Sequence, residues 1–550
     1  MRKFTKSALA AAVALGLAQS ASAGTAPFFV PLTKAEIVEP ADSVDERNAP
    51  WSAPAGVTWE NLTSMEEIEA DVSQSIVRVA ANQTSSMFDM LAYDPTGRYL
   101  FIPHETPFGA GVSRYDTQTD KSEILMKGDE TGAAGFAANT DFGAFDPSRW
   151  TPNGTIIAGE EWAGTGRLVE ICNPLAPAPA DPVTGGSELV AGDCATDPNA
   201  DWRVLDNLPL TSQEGLSFSI NSPDEVLYFI DENNTGSIYK AVFTNPGKYN
   251  DGAVTYVLVV DGYNGDASKN WNDAANAGQP RTGTATWVPI TDATGAPLAG
   301  VTDPRVPSGA PGVSGRLAAD DVGGTPYGRP EDTTIAIAAS GNEMLYFTAT
   351  SENSVYSVEE TPTGPVVRAF VSPSTPKNLG FAPTNAGLNS PDNLALDSLG
   401  NIYVIEDSPN VTTVGADGGD VWFARDTDND GVAESIDHFL SLQVNQSEAT
   451  GMIFHPVDGT KFAIAVQHPA STDLGDADND GVRDSDGFGD AIWEFDLTNV
   501  APPECVGPRS DWMTFNDKTN RWVRACSSQR DFNVVEQLSD SEQPGDFPAP

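Results

Sequence analysis

Ser222-Pro-Asp-Glu-Val-Leu-Tyr-Phe-Ile230 is a tight turn running into an apolar strand, and the same phrase returns five more times along the chain. It reappears as Asp94-Pro-Thr-Gly-Arg-Tyr-Leu-Phe-Ile102, Pro152-Asn-Gly-Thr-Ile-Ile-Ala158 and Ser340-Gly-Asn-Glu-Met-Leu-Tyr-Phe347. Ser398-Leu-Gly-Asn-Ile-Tyr-Val-Ile405 and Asp458-Gly-Thr-Lys-Phe-Ala-Ile464 complete the set. A short apolar run precedes each phrase, as in Met87 to Tyr93 or Leu394 to Asp397, and another follows, as in Arg167 to Ile171 or Ser354 to Val358. Runs this short, bounded by Gly, Pro, Asn and Asp, read as strands. Three strands recurring six times, with the turns at Gly97, Gly154, Asp224, Gly341, Gly400 and Gly459, predict an all-β six-bladed β-propeller with long loop insertions. A β-sandwich or another all-β array is the competing architecture. The widest interval, Asp224 to Gly341, has room for a seventh blade, but 262–325 is rich in Gly, Ala, Asp and Pro and reads mainly as an insertion.

Composition agrees with this frame. Of 550 residues, 50 are Gly and 41 Pro, as a chain of many turns requires, and 24 Phe, 12 Tyr and 11 Trp supply core material. With 78 acidic against 30 basic residues the formal charge is −48, which excludes a nucleic-acid binder held by phosphate contacts. Residues 1–23 have the basic start, apolar centre and Ala21-Ser-Ala23 end of a secretory signal peptide. The protein is therefore expected to be exported, to the periplasm, the cell surface or beyond. No later apolar run is long enough to span a bilayer. The expected division is an N-terminal extension over 24–60, one propeller domain over 61–533 and a tail over 534–550, both ends being loosely attached. The cysteines pair locally, Cys172 with Cys194 and Cys505 with Cys526, and export favours two disulfides.

In an antiparallel meander the start of the first strand and the end of the second share one end of the sheet. Ends of second strands carry His104-Glu105, Glu160-Glu161, Asp231-Glu232, Ser351-Glu352, Glu406-Asp407 and Gln467-His468; starts of first strands carry Glu214, Arg329 to Asp332, Asp392-Asn393 and Glu448. A ring of carboxylates on one face follows, and such a ring calls for hard cations, calcium first. Among the histidines, His104 and His468 are expected to support metal ligands rather than bind metal, and His438 and His455 to be structural.

Several of these motifs resemble the PhoX-type bacterial alkaline phosphatases: Gly159-Glu-Glu161, Gln213-Glu-Gly215, Arg329-Pro-Glu-Asp332, Ser390 to Ala395, Glu448-Ala-Thr-Gly451 and Gln467-His-Pro469. That resemblance implies a calcium-dependent six-bladed propeller that hydrolyses small phosphate esters. It implies Glu160, Glu214 and Glu331 as central metal ligands, Glu105 and Glu448 as supporting ones, and Arg329 with Glu331 as the catalytic pair, Arg329 meeting the phosphate. The family carries a cysteine ligand to iron where Gly159 stands and a histidine where Gln213 stands. Loss of a thiolate weakens a preference for iron and leaves calcium tolerable. Export in that family usually uses a twin-arginine leader, whereas Arg2 is followed here by Lys3.

Two further stretches read as calcium loops with carboxylates at alternate positions and a central Gly. The first offers Asp426, Asp428, Asp430, Glu434 and Asp437 around Gly431; the second offers Asp476, Asp478, Asp480 and Asp484 around Gly481. The leading functional expectation is a metal-dependent phosphatase-like hydrolase. The alternatives are a non-catalytic calcium-binding extracellular propeller and a calcium-dependent lactonase-like or esterase-like one.

Overall fold

The computed structural model describes residues 28–35, 49–72, 76, 87–131, 140–306, 314–407, 419–444, 447–467, 469 and 488–500, and the strand backbone of 513–516, 521–524 and 535–536. The chain is all-β, and its strands assemble as six antiparallel blades in sequence order. Blade 1 is Ala92–Tyr93, Tyr99–His104, Gly111–Asp116 and Lys121–Lys127. Blade 2 is Phe145–Trp150, Ile156–Gly166, Leu168–Ile171 and Trp202–Val204. Blade 3 is Leu216–Phe218, Val226–Ile230, Ile238–Phe243 and Ala253–Val260. Blade 4 is Pro330–Ile337, Glu343–Ala349, Ser354–Thr361 and Gly364–Val371. Blade 5 is Pro391–Leu396, Ile402–Glu406, Asp420–Arg425 and Ser435–Leu442. Blade 6 takes Glu448–Phe454, Lys461–Gln467 and Ala491–Asp496 from the C-terminal half and its outermost strand, Thr58–Ser64, from the N-terminal one.

The continuous apolar second strands follow from this arrangement. Alternate side chains of a strand point to opposite faces of its sheet, and in a propeller both faces are covered by neighbouring blades. Leu227 and Phe229 face blade 2, while Tyr228 and Ile230 face blade 4. Leu100 and Ile102 face blade 6, while Phe101 faces blade 2. Phe462 and Phe495 join blade 6 to Tyr403 and Phe439 of blade 5, and Trp422 joins blade 5 to Tyr346 of blade 4. Each of the six blade interfaces thus has its own apolar core, and the ring is closed.

The two flanking expectations meet a different arrangement. The stretch read as a loose N-terminal extension contributes buried Phe29, Trp51 and Val57 to the core between blades 5 and 6, and Trp51 pairs with Leu442. Without Thr58–Ser64 the last blade would end on an open strand, so the N-terminal segment is held by ladder bonds its own sequence does not announce. Within 262–325 lie the strand Gly283–Pro289 and the helix Ser314–Asp321. That strand bonds to the outer strands of blades 3 and 4 at once and fuses them into one nine-stranded sheet. A disulfide links Cys172 and Cys194 beside blade 2; Cys505 and Cys526 lie outside the described residues.

Candidate metal centre

Every inner strand begins at the same face of the propeller with a buried carboxylate: Asp89, Asp146, Glu214, Glu331, Asp392 and Glu448, one per blade. A local device aims these side chains at the axis. In blades 2, 4 and 5 the register slips between Phe145 and Ser148, Pro330 and Thr333, and Pro391 and Leu394, so Asp146, Glu331 and Asp392 each sit in a β-bulge. Two residues before the carboxylate in four blades the backbone is left-handed, at Met87, Ala144, Arg329 and Ser390, with φ of 53°, 48°, 50° and 50°. The carbonyls of these four accept the amides of Glu105, Glu161, Thr350 and Asp407 at 2.9, 2.7, 2.9 and 2.9 Å, tying the end of each second strand over the bulge. Non-glycine residues pay strain in this region, and its recurrence at one blade position marks a functional surface.

Glu105, Glu161, Glu232 and Asp407 form a second, partly exposed tier above the buried six. Blade 4 has Thr350 at this position. Ligand oxygens of Asp89, Glu105 and Asp146 lie within 4.8 Å of one another, as do those of Asp146, Glu161 and Glu214, and of Glu214, Glu331 and Asp392. The three triads share Asp146 and Glu214 and run as one band across the axis. Glu448 flanks it, beside Asp407, Asp392 and Asp89.

Among the described residues, the positive charges at this face are far fewer than the carboxylates. Burial first, and mutual repulsion second, raise the Asp89 carboxyl to about 7 and that of Glu105 to about 8. Asp146, Glu161, Glu214, Glu331, Asp392 and Glu448 move the same way, with burial the largest cause in each. Buried Asp146 Oδ1, Glu214 Oε2 and Asp392 Oδ1 have no hydrogen-bond donor among the described residues. Such oxygens are costly unless a cation takes them, and this all-oxygen donor set fits hard cations.

Arg329 is the cation of the cup. Its guanidinium bonds Glu232 at 2.5 Å, Glu331 at 3.1 Å and Asp407 at 3.5 Å, yet it is 37% exposed. The chain beneath it is fixed by half-buried Glu352, which accepts Gly328 N at 2.7 Å, the Arg281 guanidinium at 2.5 Å and Tyr356 Oη at 2.8 Å. A side chain at residue 328 would collide with the Trp271 indole.

The structure brings together Glu105, Glu214, Arg329, Glu331 and Glu448 of the expected site, and leaves Glu160 out. Both Glu160 oxygens bond Arg167, at 2.6 and 2.8 Å, and Oε1 also accepts Gly143 N. Strand alternation explains the correction: Glu160 pairs with Phe145 and points between blades, so the next residue, Glu161, points at the axis. Asp231, held by Arg316, and Glu406, held by Trp422 Nε1, are the equivalent structural members of their pairs. Asp89 and Asp146 join this cluster from outside the expected set, and Asp146 escapes the strand-start rule because the inner strand of blade 2 runs Phe145–Trp150, later than the apolar pattern suggests. His104 is buried against Ser113, its imidazole lowered to about 3 by burial and so neutral; His468 lies outside the described residues. Gly159 and Gln213 meet: a Cβ at 159 would come 2.7 Å from Gln213 Cβ, so there is no room for a thiolate as the two residues stand.

In the first loop Asp426, Asp428 and Glu434 converge within 4.8 Å, and Gly431 turns at a φ of +84°. Asp430 accepts Val432 N and is outside that triad. Asp437 is not available at the twelfth position, because half-buried Arg425 grips it at 2.8 and 3.0 Å. Asp476, Asp478, Asp480 and Asp484 lie outside the described residues.

Residues 211–470 match the family model of alkaline phosphatase PhoX. The PhoX resemblance read from the motifs is shown by this match, whose span holds Glu214, Glu232, Arg329, Glu331, Asp392, Asp407 and Glu448. Asp89, Glu105, Asp146 and Glu161 precede it and complete the same cup. No curated protein matches the chain. Among solved structures, the PQQ-bound aldose sugar dehydrogenase of Streptomyces coelicolor is similar at 13% identity, covering 81% of this chain and 99% of that one with a TM-score of 0.36. A gluconolactonase of Xanthomonas campestris is similar at 12% identity, covering 86% and 97%, with a TM-score of 0.33. Scores this low carry no argument.

Proposed function

We propose that the protein is an exported, metal-dependent hydrolase of small phosphate esters, with calcium as its principal cation. The observation that carries this reading is the placement of one partly exposed guanidinium, Arg329, on the rim of a cup of buried carboxylates, three of whose oxygens lack a donor among the described residues. Asp89, Asp146, Glu214, Glu331 and Asp392 would hold the cations, with Glu105, Glu161 and Glu448 at the edges. When bound, the cations supply Lewis-acid polarisation of the ester phosphate and of the attacking water.

The chain's own residues do the rest. Arg329 presents a planar fork to the phosphate oxygens and offsets the charge that grows on them. Glu232, Glu331 and Asp407 hold that fork in place, and the Glu352 network fixes the backbone it springs from. Gly159 and Gln213 offer neither a thiolate nor an imidazole at their own positions, which supports calcium over iron. The 426–437 loop, with Asp426, Asp428 and Glu434, is proposed as a separate calcium staple on blade 5, and the signal-peptide pattern supports export.

The test is phosphate release from a monoester such as p-nitrophenyl phosphate by the calcium-loaded protein and its variants. Arg329→Ala should lower kcat by about 10²–10³-fold, as loss of one transition-state donor does, with metal content unchanged. Glu331→Gln should lower both. Unchanged turnover in both variants would remove the site assignment.

A further inference from the structure

The face opposite the carboxylate cup opens on a cavity of about 810 Å³ to which all six inner strands contribute. Its size falls within the roughly 300–1,000 Å³ of small-molecule sites. A hydrogen-bonded layer separates the two faces. In it Gly451 N donates to Asn393 Oδ1 at 2.7 Å, Thr450 Oγ1 lies 2.7 Å from Asp89 Oδ1, and Leu394 N donates to Asp332 Oδ2 at 2.9 Å. Below that layer the walls are mostly apolar, with Trp150, Phe218, Ile220, Leu396 and Phe454 prominent.

One cation interrupts them. Arg149, on the inner strand of blade 2, donates its Nε to Leu216 O at 2.7 Å, and its terminal nitrogens have no partner among the described residues. Asp332 is the carboxylate whose charge acts on it, but the two make no ion pair, and Asp332 spends its oxygens on the amides of Thr333 and Leu394. Burial accordingly draws the guanidinium below its ordinary value. In a chain of net charge −48, where Arg167, Arg203, Arg316 and Arg425 each hold a carboxylate, a half-buried guanidinium that lines a cavity without a carboxylate partner is a vacancy for an anion.

We infer that this cavity is a second ligand site, which takes a small amphiphilic monocarboxylate with its head on Arg149 and its apolar body against Trp150, Phe218 and Phe454. A single positive fork selects one anionic head, and the wall chemistry selects a hydrocarbon chain or ring rather than a sugar or a nucleotide. This site is independent of the phosphatase reading, since the hydrogen-bonded layer divides it from the cup.

The test is calorimetric titration of the full, calcium-loaded protein with sodium octanoate, sodium 3-phenylpropionate and octan-1-ol. The two carboxylates should bind saturably, one per chain, and at least tenfold more tightly than the alcohol; which of the two is tighter separates a chain from a ring. Arg149→Gln should bring octanoate down to the level of the alcohol. Hydrogen exchange of the unmodified protein gives a readout that does not depend on the variant folding. Octanoate should protect 216–220, 393–396 and 451–454 and leave 105–107 and 161–162 unchanged. Equal binding of octanoate and octanol, unchanged affinity in folded Arg149→Gln, or protection confined to other segments would each overturn the inference.

Discussion

At the scale of single residues the account turns on which of two adjacent glutamates faces the axis. Glu160 neutralises buried Arg167, so Glu160→Gln should destabilise the fold by about 3–5 kcal/mol, the cost of stranding one member of a buried pair. Glu161→Gln should leave the melting temperature of the metal-free protein unchanged or raise it, and lower the calcium bound per chain. Thermal melts with elemental analysis of both variants check the contrast. The same carboxylates set a pH dependence. With folded values near 7 for Asp89 and 8 for Glu105, above their ordinary carboxylate values, the folded metal-free protein binds more protons than the unfolded chain between about pH 4 and 8. Its stability is therefore full below that window and falls as pH rises through it. Cations that take over the charge should abolish the fall, so melts from pH 5 to 8 with and without chelator should diverge as pH rises.

At the scale of elements, the recurrent turn-and-strand phrase was legible because each second strand is buried on both faces and must be apolar throughout. The bulges and left-handed residues that aim the carboxylates were not. They occupy Met87, Ala144, Arg329 and Ser390, residue types with no common signature, and the conformation is imposed by the amide of the neighbouring strand. Alternation was legible in principle, and reading Glu160 as a ligand shows the cost of a one-residue slip in register. The Glu352 network belongs to this scale because it joins the insertion, through Arg281, to the segment carrying Arg329. Glu352→Gln should raise KM for the phosphate ester severalfold while calcium content stays constant. A fall in calcium content instead would make Glu352 part of the metal centre.

At the scale of the whole molecule, six interfaces with six separate apolar cores make a closed ring in which no blade stands alone. Closure depends on a segment whose sequence gave no repeat signal, since Thr58–Ser64 borrows its register from Ala491–Asp496. Trp51, just before it, is buried against Phe495 with ring centroids 5.5 Å apart. Trp51→Ala should cost about 3–5 kcal/mol in denaturant unfolding, whereas a loosely held tail would show no change. The ring also explains why the candidate site was partly legible. Sixfold repetition places strand starts at one pole, so carboxylates 359 positions apart in the chain, such as Asp89 and Glu448, become neighbours.

The most direct measurement is the metal content of the purified protein, taken with phosphate-monoester turnover on the same sample before and after chelation. The account predicts calcium in the carboxylate cup, phosphate release that chelation abolishes, and recovery when calcium is restored. Calcium-loaded protein that releases no phosphate, or turnover indifferent to chelation, would contradict it.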